Sequence, residues 1–132
     1  MKKFSQWLEE QNRLTSSRSG VWSGKLYRAV DSTQKTSALG DGTYYTGTRE
    51  DAELYGSNIV EYEAHGLNVL GTNSQEHKMV KRTAGRRWST DFRSMADAIA
   101  KTAEQEGWDA IYGGGVFGLV VFPSSTEKVK PL

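Results

Sequence analysis

The chain has 132 residues, 36% of them hydrophobic and 25% charged, with 17 basic and 16 acidic side chains for a net charge of +1. That length suits one domain able to bury its own core, and the balanced charge removes any whole-molecule electrostatic argument for nucleic acid or membrane. With no cysteine, disulfides and thiolate metal sites are excluded, and the two histidines, His65 and His77, are too few for a metal cage.

Phe4, Trp7, Leu8 and Leu14 recur at helical spacing with Glu9, Glu10, Gln11 and Asn12 mostly opposite. They predict an amphipathic helix over 3–14 that packs on the body or docks a partner. The acids that follow Met1-Lys2-Lys3-Phe4 interrupt any apolar leader, and no apolar run is long enough to span a membrane. The expectation is a cytoplasmic protein.

Ser16 to Gly20 reads as a polar linker. Lys25 to Val30 alternates as a strand, with Leu26, Arg28 and Val30 on one side. A guanidinium sharing a face with two aliphatic side chains either meets an acid, stands in a cleft suited to phosphate or carboxylate, or lies on a surface edge. Residues 31–42 read as a loop.

The stretch Leu39 to Gly56 carries the densest set of signals. Gly40 and Gly42 form a turn that can bring backbone close to a ligand. Thr43 to Thr46 is a short strand of aromatic and β-branched residues. Thr48 then caps a short helix, with Asp51 three residues later and Gly56 at its end. Tyr44 and Tyr45 at the mouth of this turn would make a platform for a flat aromatic ligand; the plainer reading buries one of them in the core.

Asn58 to Ala64 is a strong strand, with Val60, Tyr62 and Ala64 opposed to Ile59, Glu61 and Glu63. Leu67 to Leu70 reads as a shorter extended piece introduced by Gly66. Gly71 to Thr90 is the least regular region. It holds Lys78, Lys81, Arg82, Arg86 and Arg87 with no acid between them, and ends at Trp88. Such a run is a solvated loop, or a surface for a nucleotide, a partner protein or a nucleic-acid backbone.

Asp91 to Glu106 predicts a helix whose stripe Phe92, Met95, Ala96, Ile99 and Ala103 is core, with Gly107 as its stop. Trp108 to Tyr112 is a short strand, Gly113 to Gly115 a turn, and Val116 to Phe122 a buried central strand stopped by Pro123. Residues 124–132 form a polar tail with a terminal edge strand over 127–130. The order does not interleave helices regularly with strands, so the prediction is one α+β domain, 1–132, with mainly antiparallel sheets.

Tyr27-Arg28-Ala29, then Gly40-x-Gly42-Thr43-Tyr44-Tyr45-Thr46 leading into a helix with Ala52 and Tyr55, then Ile59-Val60-Glu61-Tyr62, resembles the ADP-ribosyltransferase fold. Glu106 to Ile111 followed by Gly118 to Pro123 resembles the end of the small bacterial and phage members. The resemblance covers about residues 24–123. It implies split antiparallel sheets around a cleft with flanking helices, NAD as substrate, no metal, and transfer of ADP-ribose to a host protein.

On the matching positions it implies Arg28 as dinucleotide anchor, Tyr44 and Tyr45 as the aromatic wall, and Thr46 as the neighbouring hydroxyl. It also implies that Gly42 and Thr43 line the site and that Tyr55 forms the far side of a nicotinamide pocket. Related sequences carry a glutamate near the start of the last central strand, where this chain has Gly113 to Gly118 and no acid. Asp109 is the nearest carboxylate, with Glu104, Glu106 and Asp41 further away. The catalytic set implied is therefore Arg28, Tyr45 and Asp109. The alternatives are an NAD hydrolase, or a degenerate member that binds a protein or senses a nucleotide.

Overall fold

The computed structural model describes residues 14–31, 39–40, 42–87, 94–114 and 118–132. The expected helix over 3–14, apart from Leu14, most of the 31–42 loop, Trp88, Phe92 and the Val116–Phe117 start of the last strand lie outside the described residues.

The described elements are strand β1 (Gly20–Ala29), strand β2 (Thr43–Tyr45), helix α1 (Arg49–Glu53), strand β3 (Ile59–Gly71), helix α2 (Gln75–Arg87), helix α3 (Met95–Gln105), strand β4 (Ala110–Gly114), strand β5 (Gly118–Val121), a 3-10 helix (Pro123–Lys128) and strand β6 (Val129–Pro131). They make a mixed α+β fold with one six-stranded sheet in the order β1-β3-β4-β5-β2, while β6 pairs with β3 beside β4. Every pairing is antiparallel except β3 with β4, which is parallel because α2 and α3 form the crossover between them. The mainly antiparallel character thus holds for all but that junction, while the strands join in one sheet in place of the split sheets that the resemblance implies.

β3 is one strand where the sequence suggests two. Its register with β1 slips between Trp22–Leu67 and Gly24–Ala64, so β3 carries an extra residue at that point. Gly66 sits in this bulge with φ of 63°, its amide donating to Ser23 Oγ at 2.8 Å. The extra residue reverses the alternation, so Ala64 before the bulge and Leu67 and Val69 after it all reach the same cluster.

The two terminal strands of the path meet. Tyr27 of β1 and Thr46, just after β2, exchange backbone hydrogen bonds of 2.9 and 2.8 Å, curling the sheet into a ring. Inside the ring lie Leu26, Tyr45, Ala64, Leu67, Leu119 and Val121, joined by partly buried Leu14, Trp22, Tyr62 and Tyr112. Outside it, Leu70, Ile111, Val120 and Phe122 pack against Val80 and Ala84 of α2 and Ala98, Ile99 and Ala103 of α3. Full burial of one such aliphatic side chain contributes about 1.5–3 kcal/mol.

α3 bears out Met95, Ile99 and Ala103 of the predicted stripe, but Ala96 is only half-buried while Ala98 and Ala100 join the core, and the helix starts at Met95 with Ser94 as N-cap accepting from the Asp97 amide at 3.2 Å. α2 overturns the loop reading of 71–90. Ser74 Oγ caps it by accepting from the His77 amide at 3.2 Å, and Val80 and Ala84 one turn apart bury its inner face. Burial, with Lys81 nearby, pushes the His77 imidazole below its ordinary pKa, so it is neutral at pH 7. No helix among the described residues is long and apolar enough to cross a membrane.

Candidate functional site

Alternation along β1 places Arg28 on the same side as Leu26, which is fully buried inside the ring, yet Arg28 itself is exposed at the rim. The antiparallel bridge pairs Tyr27 with Thr46, so the next residues along the seam, Arg28 and Tyr45, share the inner face. Tyr62 of β3, in register with Leu26, completes the group. Its ring meets that of Tyr45 edge-to-face, with centroids 5.1 Å apart and planes at 75°. Among the described residues no ion pair involves Arg28.

This environment acts on the phenol of Tyr45. Burial raises its pKa above the ordinary tyrosine value, Tyr62 raises it further, and the Arg28 cation opposes both. Arg28→Ala should therefore move the Tyr45 titration to still higher pH, as followed by ultraviolet absorbance of phenolate formation. No change would mean that the guanidinium does not face the ring.

The other expected site residues are placed elsewhere. Consecutive strand residues face opposite ways, so Tyr44 turns away from Tyr45 and packs on the helix-side core. Its hydroxyl donates to Gly40 O at 2.5 Å and accepts from the Leu39 amide at 3.0 Å. The paired-tyrosine platform is thus divided between two cores. Thr43 lies on the Tyr45 side of β2 and is half-buried, paired with Val121.

The glycine turn is packed shut against protein. A Cβ on Gly40 would strike Ala100 and Ala96 of α3, and one on Gly42 would sit 2.5 Å from Val121 O. These glycines serve close approach of backbone to α3 and β5, not to a ligand. Thr46 is buried, and its hydroxyl donates to Thr48 O at 2.7 Å. Tyr55 follows α1 and is half-buried. The next residue, Gly56, lies against Ala29, on the opposite face of β1 from Arg28.

Asp109 is 6% exposed and fully engaged. Its carboxylate accepts from the Asn68 amide at 2.7 Å, Ser125 Oγ at 2.6 Å and Lys128 Nζ at 3.0 Å. Burial opposes its ionisation, but these three donors outweigh it and hold its pKa below the usual carboxylate range. Its parity is that of Ile111, facing away from the ring interior, and it stands three residues before Tyr112, which pairs with Leu119 and so with Tyr45. Two strands and three residues separate it from Tyr45, on the order of 10 Å or more. The implied role of orienting a ribose beside Arg28 does not fit this position; Asp109 ties β3 to the 3-10 helix.

The other carboxylates singled out in the sequence are engaged elsewhere, and Glu61, in register with Tyr27, alternates to the opposite face from Tyr62. Glu104 accepts from the Ser124 amide and hydroxyl and pairs with Lys101, and Glu106 caps the far end of α3. Asp41 lies outside the described residues. Asp31, three residues after Arg28, accepts from the Asn58 and Ser57 amides and Ser57 Oγ, which holds its pKa down and fixes the start of β3. Gly118, where an acid would open β5, has φ of 63°, and a Cβ there would collide with the Tyr45 carbonyl.

Tyr62 is the residue that sequence reasoning passed over. Its signal was present, since alternation puts it with Val60 and Ala64, but nothing local says that β3 lies beside β1 with Tyr45 across the seam. No group of three or more potential metal ligands occurs among the described residues. Comparison with protein-family models, with curated proteins and with solved structures gives no match for this chain.

Proposed function

We propose that this chain is an ADP-ribosyltransferase-like protein that holds NAD at the Arg28–Tyr45 seam, and that it acts by binding the dinucleotide rather than by transferring ADP-ribose. One observation carries the reading: an exposed guanidinium with no ion pair among the described residues shares the inner rim with a buried phenol, across the join of β1 and β2. An exposed guanidinium with its planar fork suits an anionic phosphate, which the pyrophosphate of NAD supplies. Of the edge-to-face pair Tyr45 is buried, so half-buried Tyr62 is the ring with surface left for a flat ligand.

The acid is where the fit ends. Cleaving the bond between nicotinamide and ribose builds positive charge on the sugar, as in glycoside hydrolysis, and a carboxylate must steady it. Asp31, Glu104 and Asp109 are each occupied with internal hydrogen bonds, and the start of β5 is closed to an acid by Gly118. Of the implied binding set only Arg28 and Tyr45 come together, Tyr44, Gly42 and Thr46 being engaged within the fold, and no acid joins them. In this reading the ring's rim is the NAD cleft, and a protein partner is contacted rather than modified.

Thermal melts test it. Saturating NAD should raise Tm by roughly 10 °C for a ligand at about 100 times its Kd. Arg28→Ala should erase that shift while leaving the unliganded Tm almost unchanged, because the side chain is exposed. Chromatography should find no free nicotinamide. Nicotinamide released by the parent chain and not by Arg28→Ala would establish the transferase or hydrolase reading instead, and an unmoved Tm would sink NAD binding altogether.

A further inference from the structure

We infer that the outer face of α2 is a docking surface for the phosphate backbone of duplex nucleic acid, separate from the Arg28–Tyr45 seam. The helix carries five basic residues against the single acid Glu76, in a chain whose net charge is only +1, so the rest of the molecule is net acidic. Positive charge is thus segregated onto one element, which a merely solvated helix does not require.

Its placement is ordered. Val80 and Ala84 are buried toward the body and His77 is half-buried beside them. At 100° per residue, Lys78, Arg82 and Arg86 point the opposite way in a single i, i+4, i+8 row, with Lys81 flanking it. All four are exposed, and among the described residues none is paired with an acid. The row spans about 12 Å at 1.5 Å rise per residue. Like charges at this spacing repel one another on the bare helix, and a polyanion laid along the row relieves that repulsion.

The occupant follows from what the face lacks. Protein interfaces are anchored by buried aromatic or aliphatic side chains, and α2 exposes only Met79 as a large apolar group, with no Phe, Tyr or Trp in the helix. Single-stranded nucleic acid is held by bases stacked on aromatic side chains, which the helix also lacks. What remains is a rigid line of cations, which suits the regular phosphates of a duplex and reads no sequence.

The test is fluorescence anisotropy of a short labelled DNA duplex of arbitrary sequence, titrated with the full chain at several salt concentrations. Binding should weaken with added salt with a log–log slope of about −3 to −4, from four phosphate contacts at roughly 0.9 each. Replacing Lys78, Lys81, Arg82 and Arg86 together by Gln, which preserves helix propensity, should lower affinity at least tenfold and bring the slope near zero. Lys25→Gln with Lys130→Gln, exposed lysines elsewhere, should leave binding unchanged. The inference is overturned by no binding at low salt, by an unaltered quadruple variant that retains its circular dichroism spectrum, or by binding to polyglutamate in place of the duplex.

Discussion

Asp109→Ala is expected to destabilise the fold by about 2–4 kcal/mol, a large effect for a residue whose sequence context suggested a ligand-facing acid. Removing the carboxylate strands the Asn68 amide and the Ser125 hydroxyl, both in part-buried or buried settings, and leaves Lys128 without its partner. The Lys128 side chain is 39% exposed, so its ammonium can turn to water, which keeps the loss below the top of the range for a buried pair. The damage extends along the chain, because the 3-10 helix leads directly into β6, whose pairing covers β3 from Tyr62 to Ala64.

The pH dependence of that contribution has a definite sign. The folded-state pKa of Asp109 lies below its unfolded value. Its stabilisation is therefore complete above the ordinary carboxylate range, about pH 4, and is lost as pH falls through the depressed folded value. Asp109→Asn keeps the shape and one acceptor but removes this acid-sensitive part. Denaturant titrations of both variants at neutral pH and below pH 4 measure it. Parent-like stability in Asp109→Ala, combined with loss of an NAD-induced Tm shift, would return the residue to the ligand site.

Gly118→Glu is the second substitution with a large expected effect, and it asks whether the acid implied by the resemblance can simply be restored. It cannot be without cost to the fold. The backbone at Gly118 is left-handed, which costs a residue with a Cβ about 1–2 kcal/mol. The added atom also collides with the Tyr45 carbonyl, an immobile backbone group. With overpacking of about 1–3 kcal/mol, the expected total is about 2–5 kcal/mol. Because β5 pairs with both β4 and β2, the distortion reaches the seam itself. Calorimetry should show a lowered Tm and a nicotinamide assay no gain. A stable Gly118→Glu that releases nicotinamide would overturn this account of the missing acid.

Much of the fold was legible because its signals are local. The α3 stripe, the alternation of β1, the Gly-rich hairpin of β4 and β5 and the short terminal strand all follow from spacing within ten or so residues. α2 escaped because its inner face is narrow: among the described residues Val80 and Ala84 are its only buried ones, and the cations masked the period. The Ser74 cap was the one clear local mark. β3 read as two pieces because Gly66 looks like a break, whereas it carries a bulge inside a continuous strand.

The candidate site divides along the same line. That Tyr44 and Tyr45 cannot share one cleft follows from strand alternation and was available before any coordinates. That Asp109 is bound to Lys128, nineteen residues later, was not, because nothing local announces a partner brought round by a 3-10 helix. Arg28 stands out in the sequence as a guanidinium on an aliphatic face, but its neighbours come from β2 and β3, and only the register supplies them.

The junction between β1 and β2 differs from the ring's other junctions, which are ladders of three or more residue pairs; here, among the described residues, two mutual backbone hydrogen bonds and a longer one from Thr46 Oγ1 to Tyr27 O at 3.4 Å stitch the hem. At a net of about 0.5–1.5 kcal/mol each, they make it the most weakly fastened part of the wall. Arg28 and Tyr45 are the next residues on either side of that stitch. Anything gripping both therefore acts as a splint for the barrel, and anything that loosens the hem pulls the two grips apart, so occupancy and closure are a single coupled quantity.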